Sequence, residues 1–169
     1  EAWRRIDRFV RGGGGLFVVL GDRIQADHYN EIAAKPAGLI PVRLEEAKTA
    51  PETAEPWHMD IDEPRHLALA DLVSSDRGGL GVAQIRVYWH FRQANAGPPL
   101  RAPIHLSNGD PLLVQSEVGQ GRVLAWMTSA NMAWNNLPAK PDYVPLMLNL
   151  TLYAAGCDRQ VRELLVDQS

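Results

Sequence analysis

Apolar residues fall along this chain in runs of two kinds. Leu16-Phe17-Val18-Val19-Leu20 and Val123-Leu124-Ala125-Trp126-Met127 are apolar without alternation, as in strands covered on both faces. Ile85, Val87, Trp89 and Phe91 instead alternate with Arg86, Tyr88, His90 and Arg92, the period of two that marks one buried and one wetter face. Pro111–Val118 and Arg122–Thr128 flank Gly119-Gln120-Gly121, a short glycine-containing connection that closes a β-hairpin. Ala102–Leu106 reads as a further strand, ended by the turn signal Asn108-Gly109. The expectation is that Leu16–Leu20 and Val123–Met127 are central strands of one sheet, with antiparallel strands from the 84–118 region beside them.

Helical periodicity appears between these runs. Trp3, Ile6, Phe9 and Val10 recur at i, i+3, i+6 and i+7, with arginines at 4, 5, 8 and 11 on the wet side. Gly12 to Gly15 stop that helix and open a strand, the reverse of a phosphate loop, which follows a strand and opens a helix. Asp27 caps a short helix at His28–Ala34, which Pro36 and Gly38 end. Ile40–Leu44 reads as a short strand, and Ala47–Pro56 as a long surface loop or disordered insert. Leu67, Leu69, Ala70, Leu72 and Val73 form a short helix. Asp142 is a good N-cap for the last long helix, where Met147, Leu148, Leu150, Leu152 and Tyr153 predict deep packing on most sides. The predicted fold class is α/β: a partial flavodoxin-like mixed sheet flanked by helices, with an antiparallel meander in the C-terminal half. Residues 1–157 make one domain, and 158–169 a polar helix or tail with a Val161, Leu164, Leu165 stripe.

Composition narrows the function classes. At 169 residues and 46% hydrophobic content the chain is long enough for a real core. A formal net charge of -3 argues against nucleic acid as a partner. Cys157 is the only cysteine, so neither an intramolecular disulfide nor a thiolate metal cluster can form. The longest apolar stretch, Tyr143–Cys157, contains Pro145, Asn149 and Thr151 and is shorter than the roughly 20 residues a membrane span needs. His58, Asp60, Asp62 and His66 are metal-ligand types, but their spacing lacks the glycine and terminal glutamate of a calcium loop. That segment is expected to be a polar loop without metal. The abrupt start at Glu1 inside a helix reads as a piece of a larger protein.

Candidate chemistry lies where the two apolar runs end, since open α/β sheets place ligands at the carboxyl ends of their strands. Gly21, Asp22 and Arg23 follow the first run; Ser129, Asn131 and Trp134 follow the second. These six residues are the candidate ligand-binding crevice.

Two blocks of sequence also carry a resemblance. The segment from Phe9 through Gly12-Gly13-Gly14-Gly15 to Gly21 resembles the helix-GGG-strand step before the nucleophile elbow of class I glutamine amidotransferase-like proteins. Val118-Gly119-Gln120-Gly121-Arg122-Val123-Leu124, with Thr128-Ser129 and Trp134, resembles the G-x-G-R-V strand and following loop of the trehalose-utilisation branch. With Asn136-Leu137-Pro138 and Val144-Pro145-Leu146, the combination is most similar to amidotransferase-like domains of large bacterial membrane proteins of the aerotolerance-operon type. The resemblance implies that the initial βαβ portion of the fold is absent. Enzymatic relatives carry a Cys at the elbow and a late His with an acidic partner. Here the elbow reads Gly21-Asp22-Arg23, and Ser129 to Trp134 offer no His.

The resemblance therefore implies a non-catalytic domain without catalytic residues, metal or cofactor. It would bind a protein, glycan or small-molecule ligand within an envelope-associated bacterial parent, anchored outside this segment if at all. Trp134 would stack on a sugar or peptide, or simply lid the core. One alternative is a hydrolase of unknown substrate using Asp22 as base or nucleophile, helped by His28 or a metal, although Asp22 beside Arg23 also suits a structural ion pair. Another is a structural spacer with a filled crevice.

Overall fold

The computed structural model describes residues 2–32, 39–40, 42–74, 79–93 and 97–157. Its organising unit is the hairpin of β6 (Pro111–Val118) and β7 (Gly121–Trp126), paired from Val118↔Gly121 to Leu113↔Trp126 across the two-residue turn. β1 (Gly15–Val19) lies parallel to β7, from Gly15↔Arg122 to Val19↔Trp126. On the other side β5 (Arg101–Leu106) and then β3 (Met59–Ile61) add antiparallel, giving the order β1-β7-β6-β5-β3. The fold is thus α/β with a mixed sheet and a C-terminal meander.

Helices α1 (Ala2–Arg11) and α4 (Tyr143–Ala154) cover opposite faces of the β1–β7 side, and two glycines show why they can sit so close. A Cβ on Gly15 would lie 2.0 Å from the Ala154 carbonyl oxygen, and on Gly121 2.1 Å from that of Val10. Gly15 is paired with Arg122, whose Nη1 donates to the Tyr153 carbonyl at 2.8 Å, so that face belongs to α4. Gly121, one residue earlier on β7, points to the other face, toward α1.

The two strands that open and close this unit differ in burial. Val123, Leu124, Ala125 and Trp126 are buried, as a central strand requires, but residues 15–19 are only half-buried. Among the described residues β1 is an edge strand and not a central one. An all-apolar run reports what covers the faces of a strand, not how many neighbours it has.

A second sheet departs further from expectation. β4 (Val87–Gln93) does not join the meander; it pairs antiparallel with β2 (Val42–Thr49), with a register shift between Leu44 and Ala47. The region read as a loop from Ala47 therefore begins as strand. The bulge breaks the alternation that would have revealed it. This sheet is held at the end of the first: Trp89 N–H donates to the Met127 carbonyl at 2.8 Å and the Thr128 hydroxyl to the Val87 carbonyl at 2.8 Å. α2 (Ala26–Ile32) is anchored by Asn30, whose amide bonds both backbone groups of Leu44. Tyr88, expected on the wetter face, is wholly buried. Its ring meets Trp57 edge-on at 4.9 Å, and its hydroxyl donates to Asp110.

Other expectations also needed tertiary packing to settle them. The segment read as a polar loop contains β3, and α3 (Ala70–Ser74) follows it. Phe9 is exposed, its ring lying over Gly14 instead of in the core. α4 buries Leu146, Leu150 and Ala154, while Val144, Leu148 and Leu152 form an exposed apolar stripe, so it does not pack deep on most sides. Asp142 precedes α4 but makes no side-chain cap; its Oδ2 accepts the Gly79 N–H at 2.8 Å instead. Pro36, Gly38 and the predicted tail at 158–169 lie outside the described residues. No helix among the described residues is long and apolar enough to cross a membrane.

Candidate functional site

The parallel register of β1 and β7 carries their ends to one place. Leu20 N–H still donates to the Trp126 carbonyl at 2.9 Å, so Gly21 arrives beside Ser129. A Cβ on Gly21 would lie 3.2 Å from that of Ser129. β4 closes over this point: Trp89 Nε1 donates to the Gly21 carbonyl at 3.3 Å, and the Trp89 and Trp134 rings are 5.9 Å apart. Gly21, Ser129, Asn131 and Trp134 are thus brought together at one end of the sheet. Asp22 and Arg23 follow directly but face solvent, and among the described residues no ion pair joins them.

Hydrogen bonding decides what these groups are free to do. Ser129 is buried, and its hydroxyl donates to the Asn131 carbonyl at 2.9 Å while accepting Trp134 N–H at 3.2 Å. Asn135 adds its amide, donating to the Ser129 carbonyl at 2.8 Å and to the Thr128 hydroxyl at 3.3 Å. Asn131 Oδ1 accepts Ala133 N–H at 2.9 Å, closing a local turn. The Tyr143 hydroxyl reaches across from α4 to the Ala130 carbonyl at 2.6 Å. These polar groups satisfy one another and hold the loop in shape. Asn135, the buried hub of the network, was not among the predicted site residues; a buried amide looks the same as a surface one in sequence.

Two of the metal-ligand types between His58 and His66 have separate partners. Asp62 pairs with His105, and His66 Nε2 lies 2.8 Å from Gln115 Oε1. Among the described residues no three His, Cys, Asp or Glu side chains converge on a common point.

A second concave region lies on the α4 face, away from the strand ends. His66 Nδ1 accepts Ala68 N–H at 3.2 Å, so Nε2 carries the proton and donates to Gln115. The Tyr153 ring lies 4.5 Å from the His66 ring, and the Arg122 guanidinium sits 4.1 Å from its centroid. Two adjoining cavities of about 300 Å³ and 430 Å³ share Arg101, Gln115 and Tyr153 in their walls. Sequence reading missed this region because its residues come from β5, β6, β7, α4 and a loop. The one local signal is Gln115, a polar residue directly after Leu112-Leu113-Val114.

Comparison with known proteins gives the fold and stops there. No family model matches the chain, and no curated protein matches it. Among solved structures it is similar to Cytoplasmic Protein STM3548 from Salmonella typhimurium, with a TM-score of 0.69 and 22% identity over 91% of this chain and 60% of that one. It is likewise similar to Cytoplasmic Protein STM1381 from Salmonella typhimurium LT2, with a TM-score of 0.70 and 17% identity over the same 91% and 60%. The chain therefore spans about three-fifths of the length of each structure, and at these identities the likeness is one of fold.

Proposed function

We propose that this domain binds rather than cuts: a non-catalytic ligand- or protein-binding domain of amidotransferase-like type within a larger, envelope-associated bacterial protein. The observation that carries the reading is the state of Ser129. It is the hydroxyl best placed at the strand ends, yet its single proton goes to the Asn131 carbonyl. A serine nucleophile must instead give that proton to an adjacent base. Among the described residues no histidine bonds to it, and the bonds from Trp134 and Asn135 fix its position further. The exposed Asp22 carboxylate lies outside this network.

The test is a turnover screen of the purified domain against glutamine, simple amides and esters, alongside binding assays with glycans and peptides. No turnover is expected, and Trp134→Ala is expected to alter binding while the domain still folds. Turnover that disappears in Asp22→Ala would overturn the proposal in favour of a hydrolase.

A further inference from the structure

The chain contains one Asn-Gly pair, Asn108-Gly109, which lies in the turn between β5 and β6. Such a pair carries chemistry as well as turn geometry. The backbone nitrogen of Gly109, with no side chain beside it to hinder approach, is placed in sequence to attack the Asn108 Cγ. In that step the nitrogen loses its proton, the Cγ–Nδ2 bond breaks, ammonia leaves and a cyclic imide forms. Water then opens the imide at either carbonyl, giving aspartate or isoaspartate. Ser107, Asn108 and Gly109 are all exposed, so the water is at hand.

The fold withholds both reacting groups. Gly109 N–H donates to the Leu106 carbonyl at 2.7 Å, and Leu106 N–H to the Asp110 carbonyl at 2.8 Å, so the turn is closed twice. The Asn108 carboxamide is held at each end: its Oδ1 accepts Asp110 N–H at 3.1 Å, and its Nδ2 donates to the Tyr88 hydroxyl at 2.9 Å. Tyr88 is wholly buried, which makes its oxygen a fixed anchor. Imide closure needs the nitrogen stripped of the proton it shares with Leu106 and the carboxamide free to pivot from Tyr88 and Asp110. These bonds must be given up first, and closure waits for the turn to open.

Conversion would reach beyond the turn. The Tyr88 hydroxyl gives its only proton to Asp110, so its oxygen relies on the Asn108 amide as donor. A carboxylate at this position sets acceptor against acceptor and puts a second negative charge beside Asp110. Asp110 is the group that ties Lys48 of β2 and Tyr88 of β4 to this turn. Isoaspartate also adds a methylene to the backbone between the two closing bonds. We propose that Asn108 is a fold-gated deamidation site: it stays intact while Tyr88 and the turn hold it, and once converted it irreversibly loosens the joint between the two sheets. The site is independent of whether the strand-end crevice has any chemistry.

The test is incubation of the purified domain in mildly alkaline buffer, with and without unfolding guanidinium chloride, followed by peptide mass mapping across Asn108. Conversion adds one mass unit and releases ammonia. The folded domain is expected to convert at least about tenfold more slowly than the unfolded chain. Tyr88→Phe keeps the buried ring and removes the anchoring oxygen; it should speed conversion of the folded domain about fivefold, the worth of one hydrogen bond, and leave the unfolded rate unchanged. A dispersed NMR spectrum checks that this variant folds, and the comparison of folded with unfolded wild type stands without it. Converted protein, separated by its extra negative charge on anion exchange, should show a lowered urea midpoint. Equal rates in folded and unfolded chains, a rate unchanged in folded Tyr88→Phe, or an unchanged midpoint after conversion would each overturn the proposal.

Discussion

Asp110 shows how much one residue at a turn can carry. Its carboxylate accepts from Lys48 at 2.8 Å and from the Tyr88 hydroxyl, while Asn108 donates to that same hydroxyl at 2.9 Å. Burial alone would raise its pKa; hydrogen bonds from Lys48 and Tyr88, with the charges of Lys48 and His90, outweigh that and hold it below the ordinary carboxylate range. A group whose pKa is lowered on folding stabilises the protein above its unfolded value, about 3.9, and loses that contribution as pH falls through the folded value. Denaturant unfolding at pH 7 and pH 3 should therefore show a loss of stability in acid that is smaller in Asp110→Asn. Equal losses in the two proteins would remove Asp110 from the account. At Gly121, adding one methyl places it within 2.2 Å of two carbonyl oxygens, of Val10 and Gly14, both on backbone that cannot rotate away. Gly121→Ala should cost at least about 2 kcal/mol, read as a lowered midpoint in urea.

At the scale of elements, α4 separates composition from burial. Nothing in Tyr143–Ala154 is charged, so its sequence predicts cover on most sides, yet its exposed and buried leucines differ only in which way the turn faces. Leu148→Lys on the open side should change unfolding free energy by less than about 0.5 kcal/mol. Leu150→Ala, on the buried side, should cost about 3 kcal/mol. Comparable losses in both, measured by chemical denaturation, would mean that the stripe is covered in solution. The hairpin of β6 and β7, by contrast, was legible residue by residue, because a two-residue glycine turn and its flanking strands are set by neighbours in sequence. β2 was half-legible: its bulge after Leu44 shifts the face on which apolar residues fall, and the alternation disappears where the strand does not.

For the whole molecule, the consequential feature is the joint between the two sheets. β4 is tied to the end of β7 through Trp89 and Thr128, and β2 to the β5–β6 turn through Lys48 and Asp110. One hydrophobic cluster runs through both. Unfolding should therefore be a single transition, with far-UV circular dichroism and tryptophan fluorescence superimposing; two separated midpoints would show that the sheets fold apart. By itself the sequence determined the α/β class, the membership of the two apolar runs in one sheet, the hairpin, and the meeting of Gly21 with Ser129 and Trp134. Those follow from local turn chemistry and from side-chain periods, which act over a few residues. Tertiary structure alone decided that β1 lies at an edge, that β4 leaves the meander for β2, and that Ser129 gives its proton to backbone. It also placed Arg101, Gln115 and Tyr153 around one cavity. These outcomes depend on which surfaces meet across long stretches of chain, and a residue's own neighbours in sequence carry no record of that contact.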